Sequence, residues 1–313
     1  MTNIFITGGA GYVGSALIKH LLSVDDNFKI TVLDNLSSGG DSLLSFMGNK
    51  NFNFIKGDIR DKNLVHQLVD KADIIINLAA IVGFPACRKN PILAEEVNYQ
   101  GSLNVLDGVK RKDQLLICAS TGSNYGDLIE EICTEETPLK PLSIYGVTKT
   151  KAEKKFHDTG QAICYRFATA FGLSPRLRLD LLINDFVYNA VKTKNLIIYE
   201  KHFYRTFIHV HDIARSFHFA INNSKKMIGN IYNVGSETMN FTKQEIAEKI
   251  KAKVDFYLHF AEIGEDADKR NYFVSYKKIN DLGFKTEIDI DSGIDELIKG
   301  MELINISSKY YNV

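Results

Sequence analysis

The sequence lacks an excess of charge of either sign, and it lacks any long apolar run. Its 313 residues carry 38 Lys plus Arg and 38 Asp plus Glu, so the formal net charge is zero. This balance argues against nucleic acid or an anionic membrane as the partner, because both are bound through excess basic residues. No apolar stretch reaches the roughly 18 residues of a membrane-spanning helix. A strand-like segment begins at Asn3, so we expect no signal peptide and a cytoplasmic location.

Cysteine is scarce, and its spacing excludes two further classes of site. The four cysteines lie far apart, at Cys87, Cys118, Cys133 and Cys164. They form no Cys-x-x-Cys pair and have no histidine at zinc-ligand spacing, so we expect neither a metal site nor a disulfide. Cys118 and Cys164 lie in strand-like apolar runs, where a thiol acts as a small apolar side chain. This use of cysteine is typical of a reducing cytoplasm.

Short apolar runs alternate with segments of helical period in the first half of the chain. The strand candidates are Ile4–Thr7, Ile30–Asp34, Phe52–Asp58, Ala72–Ala80, Leu115–Ser120 and Ala162–Ala168. The helix candidates between them are Tyr12–Leu22, Asn63–Val69, Pro91–Val109 and Tyr145–His157. This alternation predicts an α/β fold with a doubly wound parallel sheet, because parallel strands need helical crossovers between them.

The regular alternation ends near Gly172, where Pro175 interrupts the pattern. A helix is predicted over Leu181–Lys192 and a last one near Ile294–Leu303. We therefore predict two domains, a nucleotide-binding domain over residues 1–172 and a smaller C-terminal α/β substrate-binding domain over residues 173–313. We expect segments of the second domain to interdigitate with the first.

A glycine-rich turn follows the first predicted strand, in Thr7-Gly8-Gly9-Ala10-Gly11-Tyr12-Val13-Gly14. Gly8 permits the tight turn, Gly11 lets the backbone approach a pyrophosphate, and Gly14 lets the helix pack closely on the strand. The helix N-terminus then offers unpaired N–H groups to the phosphates. These features predict a Rossmann dinucleotide site.

An acidic residue ends the second predicted strand, as such a site requires. Asp34 stands twenty residues after Gly14, and its carboxylate can accept hydrogen bonds from the adenosine ribose. It would repel a 2′-phosphate, and no arginine follows closely. The sequence therefore predicts NAD rather than NADP.

A tyrosine and a lysine one helical turn apart are the candidate catalytic pair. Tyr145 and Lys149 lie on one face of a predicted helix, and a nearby ammonium favours the phenolate form of a tyrosine. Thr121 follows the strand Leu115–Ser120, at the sheet edge where open α/β folds place reacting groups. We predict Thr121, Tyr145 and Lys149 as the catalytic residues.

Two alternatives to this assignment remain open. Ser120 or Ser123 can replace Thr121 as the hydroxyl group, because both lie in the same segment. Tyr188 and Lys192 repeat the tyrosine–lysine spacing, but they lie beyond the residues that build the sheet.

These residues together resemble the extended short-chain dehydrogenase/reductases, and more narrowly their nucleotide-sugar epimerase/dehydratase branch. The resemblance is carried by Thr7–Gly14, Asp34-Asn35, Gly57-Asp58, Asn77–Ala80, Asn98, Ser120–Gly126, Tyr145–Lys149 and Arg205–Asp212. It implies tightly bound NAD(H), held by Gly8, Gly11, Tyr12, Val13, Asp34, Asn35, Asp58, Ile59, Ala79, Ala80, Tyr145 and Lys149. It also implies a homodimer formed through the helices Pro91–Val109 and Tyr145–His157.

The resemblance implies a nucleotide-diphosphate sugar as the substrate. Its binding residues would be Thr121, Thr169, Arg178, Asn184, Arg205 and Arg270. Thr169 stands where relatives often carry Asn, and Glu265 stands near the expected place of a second diphosphate arginine. The stretches Ser174–Phe186 and Ile263–Arg270 resemble a subgroup that includes GDP-heptose 4-dehydrogenases of capsule pathways, which favours a GDP-linked sugar.

The implied activity is NAD-dependent oxidoreduction at the sugar C4 through a 4-keto intermediate, as a 4-epimerase or a GDP-heptose-type 4-dehydrogenase. A 4-keto-sugar reductase is an alternative. A 4,6-dehydratase is disfavoured because Gly122 and Ser123 replace the Asp-Glu pair that elimination uses. An alternative of another class is a non-catalytic NAD-binding sensor or scaffold, since a fold alone does not establish chemistry.

Overall fold

The computed structural model describes residues 1–262, 271–304 and 310–312. Its strands are β1 (Thr2–Thr7), β2 (Phe28–Asp34), β3 (Phe52–Lys56), β4 (Ile74–Asn77), β5 (Leu115–Thr121), β6 (Asp127–Cys133), β7 (Ala162–Phe167), β8 (Thr169–Phe171), β9 (Asn195–Ile198), β10 (Tyr204–His209), β11 (Ile231–Val234), β12 (Asn240–Thr242), β13 (Tyr257–Phe260) and β14 (Asn271–Val274). Its α-helices are α1 (Tyr12–Val24), α2 (Lys62–Asp70), α3 (Phe84–Lys89), α4 (Pro91–Glu95), α5 (Gly101–Gly108), α6 (Ile144–His157), α7 (Leu182–Tyr188), α8 (Val210–Asn222), α9 (Ser224–Met227), α10 (Lys243–Lys251), α11 (Lys277–Asp281) and α12 (Ile290–Glu302).

A seven-stranded, all-parallel sheet forms the first layer of the fold. Its strand order is β11-β7-β5-β4-β1-β2-β3. The chain moves outward from β1 through β2 and β3, then returns to the other side of β1 with β4. In open α/β sheets ligands bind at the carboxyl ends of the strands beside such a reversal. The doubly wound Rossmann fold predicted from the sequence is confirmed.

Helices cover both faces of this sheet, because successive side chains of a strand point to opposite faces. Ile4 and Ile6 pack with buried residues of α1 and α8, whereas Phe5 packs with buried residues of α2, α5 and α6. Both faces of the sheet are therefore buried. This explains why the strands are continuous apolar runs rather than alternations of apolar and polar residues.

The second lobe has its own core and smaller sheets. Strands β12, β10 and β8 form one sheet, and β13 pairs with β9. A separate apolar cluster, which includes Phe171, Ile246 and Ile294, lies among α7, α10 and α12. Two elements beyond residue 172, β11 and α8, nevertheless complete the first layer, because β11 pairs with β7 and α8 packs on α1.

Several element boundaries differ from the sequence prediction. The strand expected over Ala72–Ala80 ends at Asn77, because the Thr7 hydroxyl accepts hydrogen bonds from the N–H groups of Leu78 and Ala79. The last helix begins four residues before the expected Ile294, because the Asp289 carboxylate caps it by accepting the Ser292 N–H.

Two predicted helices contain π-helical turns. The helix expected over Pro91–Val109 is α4 and α5 joined by a π turn at Glu96–Gln100, and α7 continues into a π turn at Asn189–Thr193. In the described part of the chain, no helix combines the length and apolar character that crossing a bilayer requires.

Candidate active site

One cavity of about 1090 Å³ opens at the carboxyl ends of the central strands and extends between the two lobes. The residues predicted to bind the cofactor all line it, as do the three predicted catalytic residues. Thr169, Arg178 and Arg205 line it as well. The structure thus brings together nearly every residue that sequence patterns and family resemblance had assigned to the site.

The glycine turn between β1 and α1 forms a cradle that side chains would fill. Gly8 has a φ of +73°, and a Cβ added there would lie 2.7 Å from the backbone of Ala79. A Cβ at Gly14 would lie 2.5 Å from the Gly8 carbonyl oxygen. Gly11 is the N-cap of α1 and provides no side-chain cap, so the first N–H groups of the helix remain available. This cradle fits a dinucleotide pyrophosphate.

Asp34 and Asp58 line the end of the cavity where the adenosine would bind. The Asp34 carboxylate accepts hydrogen bonds from the N–H groups of Ala10 and Leu36, at 3.0 and 2.8 Å. Burial raises the pKa of Asp34, and these two hydrogen bonds oppose the rise. Hydrogen bonds from Arg60 lower the pKa of Asp58 to about 2, and Asn35 donates to the same carboxylate. Both carboxylates are therefore held in fixed orientations by neighbouring donors.

Helix α6 carries the tyrosine and the lysine into the cavity. The Ser143 hydroxyl caps it by accepting the Gly146 N–H at 3.0 Å, which fixes the first turn that holds Tyr145. Lys149 lies one turn further on and is only 2% exposed. Burial lowers the pKa of Lys149, whereas the neighbouring Cys118 and Glu153 raise it.

The hydroxyl group stands at the end of β5. Thr121 Oγ1 donates to Ser123 Oγ at 3.1 Å and accepts the Ser123 N–H at 3.1 Å. Ser120 also lines the cavity, and its hydroxyl accepts a hydrogen bond from the Asn124 amide. Thr121, Ser120 and Ser123 all line the cavity. Thr121 therefore stays a prediction, and Ser120 and Ser123 stay alternatives for the hydroxyl group.

A π turn connects the cofactor side of the cavity to α6. The Asn98 side chain accepts the Ile81 N–H at 2.7 Å and donates to the Ile81 carbonyl oxygen and to the Thr148 hydroxyl. Asn98 thereby fixes the loop after β4, which lines the cavity through Ala79, Ala80 and Ile81. Such π turns are frequent at functional sites.

One predicted substrate residue, Asn184, does not line the cavity, and another lies outside the described residues. Asn184 is fully buried, and its amide bonds the backbone of Gly172 and Arg178. It is not among the cavity-lining residues, because these backbone groups use its polar atoms; it holds the loop that carries Arg178. Arg270, like the neighbouring Glu265, lies outside the described residues.

The alternative tyrosine–lysine pair lies away from the cavity. Tyr188 is buried within the second core, and its hydroxyl has no hydrogen-bond partner among the described residues. Lys192 donates to the Glu302 carbonyl oxygen near the molecular surface. Neither residue lines the cavity.

Among the described residues, sequence reasoning missed three further cations that line the cavity, Arg60, Arg176 and Lys243. Lys243 is buried, and its ammonium donates to the Tyr199 carbonyl oxygen at 2.8 Å. The only local signal at Lys243 is the capping box of Thr242 and Glu245, which predicts a helix start and says nothing about a ligand. Arg176 directly follows Pro175, where the local sequence predicts only an interruption of the strand–helix pattern.

Comparison with known proteins gives one consistent family. The profile of the NAD dependent epimerase/dehydratase family matches residues 4–235. The low-salt glycan biosynthesis protein Agl12 of Haloferax volcanii is 29% identical over 306 residues, which cover 95% of this chain and 97% of that protein. A putative UDP-glucose 4-epimerase of Methanocaldococcus jannaschii is 28% identical over 310 residues, covering 96% and 98%.

A solved structure has a similar fold. The dTDP-glucose 4,6-dehydratase of Bacillus anthracis, determined in complex with NAD, superimposes with a TM-score of 0.84 at 25% identity and 99% coverage of both chains.

Proposed function

The chain belongs to the NAD dependent epimerase/dehydratase family, and we propose that it oxidises and reduces C4 of a nucleotide-activated sugar through a 4-keto intermediate. It is an extended short-chain dehydrogenase/reductase whose cofactor is NAD. The observation that carries the proposal is the convergence of Thr121, Tyr145 and Lys149 with the glycine turn on one cavity.

Each side chain has a definite part in the proposed reaction. Tyr145, as phenolate, takes the proton of the C4 hydroxyl, and Thr121 hydrogen-bonds the same oxygen. The buried Lys149 ammonium stabilises the phenolate, because an opposite charge nearby favours the charged form. When bound, the oxidised nicotinamide supplies the acceptor for the C4 hydride. The C4–H and O–H bonds break, and a C4 carbonyl forms.

Residues 122 and 123 support a reaction without elimination. A dehydratase needs an acid and a base in addition to the tyrosine, and Gly122 and Ser123 carry no carboxyl group. A Cβ at Gly122 would lie 3.2 Å from the Phe167 carbonyl oxygen and 3.4 Å from the Tyr272 hydroxyl. The surrounding chain is thus already close-packed against Gly122.

The 4-keto sugar has two proposed fates. Return of the hydride to the opposite face gives a 4-epimer. This is the reaction in the name of the Methanocaldococcus jannaschii relative, a putative UDP-glucose 4-epimerase. Release of the ketone gives a 4-dehydrogenase acting on a GDP-linked heptose, and the stretch Ser174–Phe186 favours this second candidate. Both fates use the same three side chains.

The test follows the C4 hydrogen. The purified holoenzyme is mixed with UDP-, dTDP-, CDP- and GDP-linked sugars deuterated at C4, and products are followed by NMR. An epimer that keeps the label, or a ketone with the label on the nicotinamide, supports the proposal. A 5,6-elimination product contradicts it, and so does a complete panel with no reaction and no cofactor reduction, which is the outcome for a sensor or scaffold.

The proposed enzyme is a cytoplasmic homodimer. Helices α4 and α6 pack side by side and expose apolar side chains, with Ile92 73% and Val147 36% exposed. A second copy would cover these side chains. The four cysteines are free and buried, which fits a reducing compartment.

A further inference from the structure

Arg176 is a buried cation in the cavity that the proposed chemistry does not use. It follows Pro175 in the loop between β8 and α7, lines the cavity, and is 7% exposed. Its guanidinium donates to the Leu177 carbonyl oxygen at 3.2 Å and to Asn312 Oδ1 at 2.8 Å. Its Nε is buried without a hydrogen-bond partner in the described chain.

The charge of Arg176 lacks a carboxylate partner of its own among the described residues. The neighbouring Arg178 donates to both Asp180 oxygens, at 3.1 and 2.5 Å, and so occupies the nearest carboxylate. Burial lowers the pKa of Arg176, the Arg178 charge lowers it further, and the Asp180 charge only partly opposes this. Of these two buried guanidinium groups, only that of Arg178 is bonded to a carboxylate among the described residues. Because buried charges are normally paired, a counter-charge is expected from a ligand.

The surrounding chain holds Arg176 in place on both sides. Its backbone N–H donates to the Ser15 hydroxyl of α1, next to the glycine turn. Its guanidinium is held by Asn312, and the Tyr310 carbonyl oxygen accepts the Leu179 N–H at 2.8 Å, which fastens the C-terminal segment to the same loop. Asn312 also lines the cavity. A guanidinium fixed in this way is prepared to bind an anion with little loss of side-chain freedom.

We infer that Arg176 is a phosphate-binding residue of this cavity, oriented by Asn312, and that its ligand is a diphosphate oxygen of the sugar nucleotide or of the dinucleotide. The inference rests on the proposed function, because that function brings two diphosphates into the cavity. A guanidinium fork matches phosphate oxygens in geometry and in charge. Asn312 acts through Arg176 and is therefore a positioning residue.

The experiment measures binding rather than turnover. One arm measures the affinities of UDP, GDP, CDP and dTDP for the holoenzyme by calorimetry, and the other measures the rate at which the holoenzyme releases NAD. Arg176→Gln is expected to weaken nucleoside diphosphate binding or speed NAD release by roughly ten- to a hundredfold, the loss typical of a charged hydrogen bond. The arm that changes identifies the source of the phosphate.

Three further variants guard against a structural explanation. Arg176→Lys keeps the charge and is expected to recover part of the affinity. Asn312→Ala leaves the guanidinium in place. It is expected to change the same measured quantity, nucleoside diphosphate affinity or the rate of NAD release, by a smaller factor. Arg111→Gln is the matched control, because Arg111 pairs with Asp73 outside the cavity, and both arms should match the unaltered enzyme.

The inference and the proposed function fail in different ways. If folded Arg176→Gln and Asn312→Ala proteins both bind all four nucleoside diphosphates and retain NAD as the unaltered enzyme does, Arg176 binds no phosphate. If the unaltered enzyme binds no nucleoside diphosphate, the proposed function fails, and NAD release still decides the role of Arg176.

Discussion

Lys149 shows how burial and chemistry oppose each other at a single residue. A free phenol titrates near pH 10, so a tyrosine base that works near neutrality needs its anion stabilised by about 4 kcal/mol, which corresponds to three pKa units. A cation stabilises it most where water is excluded, yet the same burial lowers the pKa of Lys149. Glu153, one turn further along α6, raises that pKa and so favours the charged lysine.

Asp34 should determine which dinucleotide the enzyme accepts. Asp34→Asn removes the charge that would repel a 2′-phosphate and weakens the bond to the ribose hydroxyls. We expect the affinity for NAD to fall roughly ten- to a hundredfold, the loss typical of a charged hydrogen bond. The difference between the affinities for NAD and NADP should become smaller. Titration with both dinucleotides measures this, and Asp26→Asn on the exposed loop before β2 is the control. An unchanged preference for NAD would remove Asp34 from the ribose site.

At the residue level, local patterns predicted the groups with a strict backbone or spacing requirement. The glycine turn and the Tyr145–Lys149 pair could be predicted because their chemistry depends on residues near each other in sequence. The contacts of Asn184 and Arg176 could not be predicted, because their partners, Gly172 and Asn312, lie 12 and 136 residues away in the sequence. Such partners are set by the tertiary fold.

Among the elements, α6 is fixed to the sheet by a buried ion pair. Arg166 of β7 donates to both Glu153 oxygens, at 3.0 Å from Nε and 2.7 Å from Nη2, and both side chains are nearly inaccessible. Arg166 also donates to the Tyr125 hydroxyl. The pair sets the position of the helix that carries Tyr145 and Lys149.

Breaking this pair should be costly. Arg166→Met leaves the Glu153 carboxylate buried without its cation, so we expect the free energy of unfolding to fall by about 3–5 kcal/mol. Urea unfolding measures the loss. The double variant with Glu153→Gln should lose less than the sum of the two single variants, because it leaves no unpaired charge. Strict additivity would mean that the two side chains do not act as a pair.

The elements themselves were predictable where a repeating pattern runs through the whole segment. The parallel strands and α1, α2 and α6 follow from such patterns. The π turn at Glu96–Gln100 does not, because Asn98 meets Ile81 and Thr148 only in the folded chain. The end of β4 at Asn77 and the start of α12 after Asp289 differ from the predicted boundaries for the same reason, because side-chain oxygens there accept hydrogen bonds from backbone N–H groups.

In the whole molecule, the two lobes share elements rather than meeting across a linker. Strand β11 and helix α8 belong to the sheet layer, although the chain has by then already built β8 and β10 of the second lobe. The cavity therefore lies between parts that are connected several times. The domain boundary at residue 172 stays a prediction from the sequence.

The proposed homodimer predicts a mass of twice the 35.2 kDa chain in light scattering. Replacing Ile92 and Val147 together by Asp places two charges in the proposed interface and should yield monomers, because burying unpaired charges is costly. Ile228→Asp alters an exposed apolar residue elsewhere and should leave the dimer intact. A monomeric unaltered protein would contradict the proposed assembly.

The most direct test of the account is the reduction of bound NAD in the Tyr145→Phe enzyme. Nucleotide sugar is mixed rapidly with the holoenzyme, and the near-ultraviolet absorbance of reduced nicotinamide is followed. The unaltered enzyme should reduce its cofactor. The variant should keep its NAD and reduce it at least about a hundredfold more slowly, as expected for loss of a general base. Reduction at an undiminished rate would show that Tyr145 does not take the proton, and the proposed chemistry would be wrong.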